Sequence, residues 1–279
     1  MQPAFEMARA EKRQQLWLDA VRLGRTDDVR RMIADGADVS ERNNGATVLH
    51  LAAENGHADV VKILLDEGAD VAAPYRQSSF LSGSTALHWA AGRGRAEVVK
   101  ILLDARADVD ARKRWGETAL HDAARGGHVG VLRILLDAGA DLAATSFPNP
   151  WGFGDAVLDV AVDECHPLVV RMLLEEGADV AARDANGRSA LTRASAKLGT
   201  CPLGMLERVR QMVALLEAAE QARRHEANAM AFAMGLQDRL GAASVVRGLD
   251  AEVVRMVVLA DEGARSWFTH RELLPLDGA

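Results

Sequence analysis

The sequence predicts an all-α solenoid: short helix pairs stacked one on the next, followed by a C-terminal helical segment. Three observations predict it. A segment of about thirty residues recurs along most of the chain. Each copy carries two short apolar runs at helical spacing, a stripe that one copy alone cannot bury. The composition is rich in Ala, Leu and Val, and aromatic residues make up only 4%, which suits packed helices better than sheets.

The elements follow in chain order. Residues 1–11 read as an N-terminal tail. The stretch LWLDAVRLGRTDDVRRMIADGADVS (16–40) is a half-match to the recurring unit. Four fuller copies come next: GATVLHLAAENGHADVVKILLDEGADVAA (45–73), GSTALHWAAGRGRAEVVKILLDARADVDA (83–111), GETALHDAARGGHVGVLRILLDAGADLAA (116–144) and GDAVLDVAVDECHPLVVRMLLEEGADVAA (154–182). A degenerate copy begins with GRSALTRASAKLG (187–199). The starting glycines Gly45, Gly83, Gly116, Gly154 and Gly187 are separated by 38, 33, 38 and 33 residues.

Within a copy, Thr47, Thr85 or Thr118 opens the first helix, because its hydroxyl can take up a free backbone amide there. Leu49, Ala52 and Ala53 follow on one face, and small alanines allow close backbone approach. Gly56, Gly94 or Gly127 ends that helix. The second helix carries Val60, Val61, Ile63, Leu64 and Leu65, then stops at Gly68, Gly139 or Gly177, where glycine tolerates a left-handed residue. Arg106 holds that last position in the third unit and costs about 1 kcal/mol if its φ is positive.

After the repeats, 207–235 reads as one long helix, with Met212, Leu215, Leu216 and Ala219 at helical spacing. The stretch QDRLGAAS (237–244) reads as a break and 249–263 as a second helix opened by Asp250. The expected divisions are 12–41, 42–73, 74–111, 112–144, 145–182 and 183–217 for six units, then 218–279 as a helical extension that caps the last one.

The pattern G-x-T-x-L-H-x-A-A-x-x-G-H-x-x-V-V-x-x-L-L-x-x-G-A-D-V resembles the ankyrin repeat over about residues 12–217. The resemblance implies L-shaped helix pairs, a β-turn finger projecting from each towards a concave face, and a role in protein recognition. The fifth unit departs from the pattern with Ala156 and Asp159 where Thr and His are expected, and the sixth with Thr192 for His. Those changes put the local caps and inter-repeat bonds in question.

Two steps of 38 place extra residues in the fingers at 74–82 and 145–153. The chain has six Phe, five Trp and one Tyr, and Tyr75, Phe80, Phe147, Trp151 and Phe153 all fall in these two loops. Large apolar residues on loops suggest a contact surface. Trp115 lies in the finger between them, beside Arg112, Lys113 and Arg114, and Trp and Arg are enriched where interfaces hold most of their energy. Trp115 and Trp151 are expected to be contact residues. Phe80 and Phe147 have two open readings, contact or tucking under the neighbouring turn. In the family the first helix also varies, which here implies Leu51, Glu54, Trp89, Arg93, Asp122, Arg125, Val160 and Asp163. The expected contact set is therefore Tyr75, Arg76, Phe80, Trp89, Arg93, Lys113, Arg114, Trp115, Arg125, Trp151 and Phe153. It would form a positive, aromatic strip, matched by a partner protein with an acidic segment and apolar anchors.

Other chemistries have weaker support. His50, His88 and His121 recur once per unit, and so do His57, His128 and His166, as consensus residues that tie neighbouring repeats. Cys165 beside His166 lacks the base and oxyanion geometry of a catalytic pair. Asp38, Asp70, Asp108, Asp141 and Asp179 follow helix ends singly, unlike a calcium loop. No catalytic residue, cofactor or metal is expected, and the reading is of a non-enzyme. A net charge of −7 and a pI near 5.6 argue against generic nucleic-acid binding. Two cysteines make no disulfide framework. No apolar run reaches the roughly 20 residues that span a bilayer, and the first residues lack a secretory apolar core. The expectation is a monomeric binding module of the cytoplasm or nucleus. One alternative stays open: VVRGLDAEVVRMVV (245–258) is weakly similar to the opening of an F-box-like helix, which would make the chain a substrate receptor of a ubiquitin ligase.

Overall fold

The computed structural model describes residues 2–77, 81–146, 155–184 and 186–240, with side chains over 11–227 of these. Six helix pairs succeed one another. They are α1 (Gln2–Arg22) and α2 (Thr26–Ala34), α3 (Val48–Asn55) and α4 (Ala58–Asp66), α5 (Ala86–Gly92) and α6 (Ala96–Asp104), α7 (Ala119–Gly126) and α8 (Val129–Asp137), α9 (Val157–Asp163) and α10 (Pro167–Glu175), and α11 (Ala190–Leu198) with α12 (Leu206–Leu240). The first helices pack in one layer, α1 on α3, α3 on α5, α5 on α7, α7 on α9 and α9 on α11. The second helices α2 to α10 pack in an outer layer in the same order.

The two apolar runs of each unit explain these layers. Ala52, Ala53, Ala90, Ala91, Ala123 and Ala124 are fully buried, so the first helices approach closely on both sides. Val61, Leu64, Val99, Leu102, Leu132, Leu135, Val170 and Leu173 of the second helices are fully buried as well. Each such Val or Leu contributes roughly 1.5–3 kcal/mol by leaving water, and it does so only when the next unit is in place.

Several boundaries differ from expectation. The helix α1 begins at Gln2, so the residues expected as an N-terminal tail are helical from that point. The long helix α12 runs on through Leu240, without a break at 237. Arg106 does sit at φ +63°, where Gly68, Gly139 and Gly177 have φ of +85° to +89°. The chain divides into two compact units, 1–212 and 213–279. Residues 241–279, including the F-box-like stretch and the helix expected at 249–263, lie outside the described residues, as do Phe80, Phe147, Trp151 and Phe153.

Candidate functional site

The fingers are held by repeated side-chain ties. In α3 the backbone N–H and the hydroxyl of Thr47 both face His50 Nδ1, at 3.2 and 2.7 Å. The amide must donate, so Nδ1 is an acceptor and the ring proton sits on Nε2. That Nε2 donates 2.9 Å to the Ser84 carbonyl of the next finger. His88 and His121 repeat the arrangement, reaching the carbonyls of Glu117 (3.3 Å) and Asp155 (3.2 Å). Burial lowers the pKa of all three rings, to about 4 for His50 and His121. A second set runs backwards. His57, His128 and His166 donate from Nε2 to the carbonyls of Arg22, Gly92 and Arg125. Arg95 does the same for Glu54 through Nε. His166 is thus a tie beside the buried Cys165.

The fifth unit solves its missing histidine differently. Asp159 still caps its helix, accepting the Ala156 N–H at 3.2 Å. The onward link is made by Arg193 of α11, a buried guanidinium surrounded by Asp155, Asp159, Asp163 and Asp184. Burial pushes the Asp159 carboxyl up to about 6 despite Arg193. Burial would raise Asp184 too, but the amides of Arg188 and Asn186 and the guanidinium groups of Arg188 and Arg193 hold it at about 2.

The face formed by the first helices is less positive than its sequence suggests. Arg93 pairs with Glu54 at 2.7 Å. Arg125 pairs with Glu117 and with Asp122. Lys113, expected among the contact residues, is instead buried beneath its finger, with Nζ 2.9 Å from Glu117 and 2.7 Å from Asp122. Burial alone would raise the Glu117 carboxyl, but Lys113 and Arg125 outweigh it and hold it at about 2. Lys113 is therefore part of the scaffold. Two acidic neighbours, one in its own finger and one on α7, take up its charge.

The aromatic residues divide. Trp89 is half-buried, its ring 5.3 Å from His50 and 5.6 Å from Tyr75. Its indole N–H is buried without a hydrogen-bond partner among the described residues. Tyr75 is half-buried and donates its hydroxyl to Gln77 at 2.6 Å. Trp115 is likewise half-buried, in the third finger, with the Arg114 guanidinium 5.2 Å above its ring. Arg76 and Arg114 are exposed.

One class of finger residue is absent from the expected set. Arg42 and Arg112 each occupy the fourth position after the turn aspartate and donate to the backbone of the next finger, at Pro74 and Thr145. Arg183, at the same position, donates to Gly187 within its own finger. The spacing was legible in the repeat, but a surface Arg gives no sign of whether it faces a partner or its own backbone.

Among the described residues no group of three or more His, Cys, Asp or Glu could hold a metal ion, and no helix is long and apolar enough to cross a membrane. What remains is a stack of helix pairs whose ties position a row of fingers, the construction of a repeat-built solenoid. Three overlapping matches to the family model for ankyrin repeats cover residues 9–75, 72–146 and 105–184. The chain belongs to the ankyrin-repeat family, whose members generally mediate protein–protein interactions.

Proposed function

We propose that this chain recognises one partner protein through the fingers and first-helix faces of repeats three to five, and that it is not an enzyme. The observation that carries the reading is the third fingertip. Trp115 is half-buried there, part of its ring open to solvent under the Arg114 guanidinium, on a finger fixed from below by the Lys113 ion pairs. A large aromatic ring on a rigid support binds with little loss of side-chain freedom. The partner offers an apolar anchor to Trp115 and an acidic segment to the arginines beside it. The protein acts as a monomer in the cytoplasm or nucleus.

The test is purification of the partner on the wild-type chain, followed by titration with purified Trp115→Ala. The expected result is a loss of affinity greater than tenfold, with an unchanged helical circular-dichroism spectrum. Equal affinity for the two proteins would overturn the reading.

A further inference from the structure

We propose that the groove between the second and third fingers is an anion-binding subsite, taking a run of carboxylates or a phosphorylated side chain on an extended segment of the partner. The inference rests on the reading above and adds the chemistry of one stretch of the ligand.

The groove is a product of finger pairing. In the second finger, Tyr75 N–H donates to Ser84 O at 2.7 Å and Gly83 N–H to Tyr75 O at 3.0 Å. The third finger is tied to it by Arg114 N–H, 2.9 Å from Ser82 O. Between them lies an open groove of about 690 Å³, lined on its two sides by Arg76, Arg112 and Arg114. That space exceeds one carboxylate or phosphate and suits several residues of extended chain.

Among the described residues no Asp or Glu lines the groove. Arg76 and Arg114 have no carboxylate partner among the described residues, while Arg112 is anchored on the Thr145 carbonyl. Lys113 lends the groove its backbone but not its charge, which Glu117 and Asp122 neutralise. The rest of the face differs. Arg93, Arg125 and Arg193 all meet carboxylates, in a chain of net charge −7. Arg76 and Arg114, exposed on the two sides of one groove, repel one another and concentrate positive potential there. An anionic ligand removes that repulsion, and the planar fork of Arg matches carboxylate and phosphate oxygens two at a time.

The test uses the full chain and fluorescence anisotropy with labelled ten-residue peptides: one rich in Glu, one with a single phosphoserine among neutral residues, and one in which Gln replaces every acidic residue. A single-stranded oligonucleotide is the fourth probe. The proposal expects at least one anionic peptide to bind at least tenfold more tightly than the Gln peptide. Which one binds identifies the source of the charge. Arg76→Glu/Arg114→Glu should abolish that preference, and Lys62→Glu/Lys100→Glu, at exposed positions on the outer helices, should keep it. Raising the salt should weaken binding. No preference in the wild type, a preference that survives the double arginine reversal, or tighter binding of the oligonucleotide than of both anionic peptides would each overturn the proposal. A partner lost by Trp115→Ala but held equally by the double arginine reversal would overturn the groove alone and leave the broader reading standing.

Discussion

At the scale of the residue, Arg106 shows how a local strain survives in a repeat. Its φ of +63° belongs to the left-handed region, in which the other units use glycine at φ near +85°. At Gly68, Gly139 and Gly177 a Cβ would meet no atom within 4 Å, so the cost of a side chain at this turn is backbone strain and not a clash. Arg106→Gly should therefore stabilise the chain by about 1 kcal/mol, somewhat less once the greater freedom of an unfolded glycine is counted. Urea denaturation followed by circular dichroism checks it. A lower midpoint would mean that the Arg106 side chain makes a contact worth more than the strain. Trp89 illustrates the opposite lesson, because an aromatic residue at a variable family position is partly taken up by an edge-on contact with His50 and a tilted one with Tyr75.

At the scale of the element, the link between the fifth and sixth units replaces a histidine tie with a guanidinium in a cage of carboxylates. Arg193→Ala would leave Asp155, Asp159, Asp163 and Asp184 facing one another, and stripping the partner from buried charges costs roughly 3–5 kcal/mol. Repeats depend on their immediate neighbours, so the damage should be local. Hydrogen exchange in α11 should accelerate more than tenfold while α3 to α7 keep their protection, and Arg193→Lys should recover part of the loss. Unchanged protection of α11 would remove the cage from the account of stability. This element also marks the limit of what the sequence conveys. The helix pairs, histidine ties and finger positions were legible because each is set by residues within one period of the repeat, whereas of the three expected Thr caps only Thr47 takes up a backbone amide, that of His50. That Asp159 breaks the pattern was legible too. Its replacement was not, since Arg193 lies thirty-four residues on and pairs with four aspartates that no short-range spacing connects. The neutralisation of Lys113 and Arg125 was hidden for a different reason. Glu117 and Asp122 lie between them in the sequence, but only the turn of the third finger onto α7 brings their carboxylates to the buried ammonium.

At the scale of the whole molecule, the histidine ties make the stack sensitive to acid, and the sign can be worked out. His50 and His121 have folded pKa values of about 4, against 6.5 for an unperturbed ring. A base with a lowered folded pKa contributes stability that is complete above its unfolded pKa. That stability is lost as the pH falls from there through the folded pKa, because the unfolded chain takes up the proton first. His88 shifts in the same direction. Asp159 opposes them: its raised value, about 6, means that the folded chain takes up a proton before the unfolded one, which adds stability as the pH falls below 6. Glu117 and Asp184, held at about 2, contribute nothing to the balance until the pH nears their unfolded values around 4. Burial raises Asp155 in the same direction as Asp159, so between pH 6.5 and 5 three rings stand against two opposing carboxyls, and the net loss by pH 5 is on the order of 2 kcal/mol. Urea midpoints measured at pH 7 and pH 5 should show that loss. His121→Asn keeps a cap acceptor for the Thr118 amide but is too short to reach Asp155. It should be less stable than the wild type at pH 7 and should lose less on acidification. A midpoint that stays level or rises from pH 7 to pH 5 would show that the ties do not govern the stack. A wild-type slope retained in His121→Asn would assign the acid sensitivity to other groups.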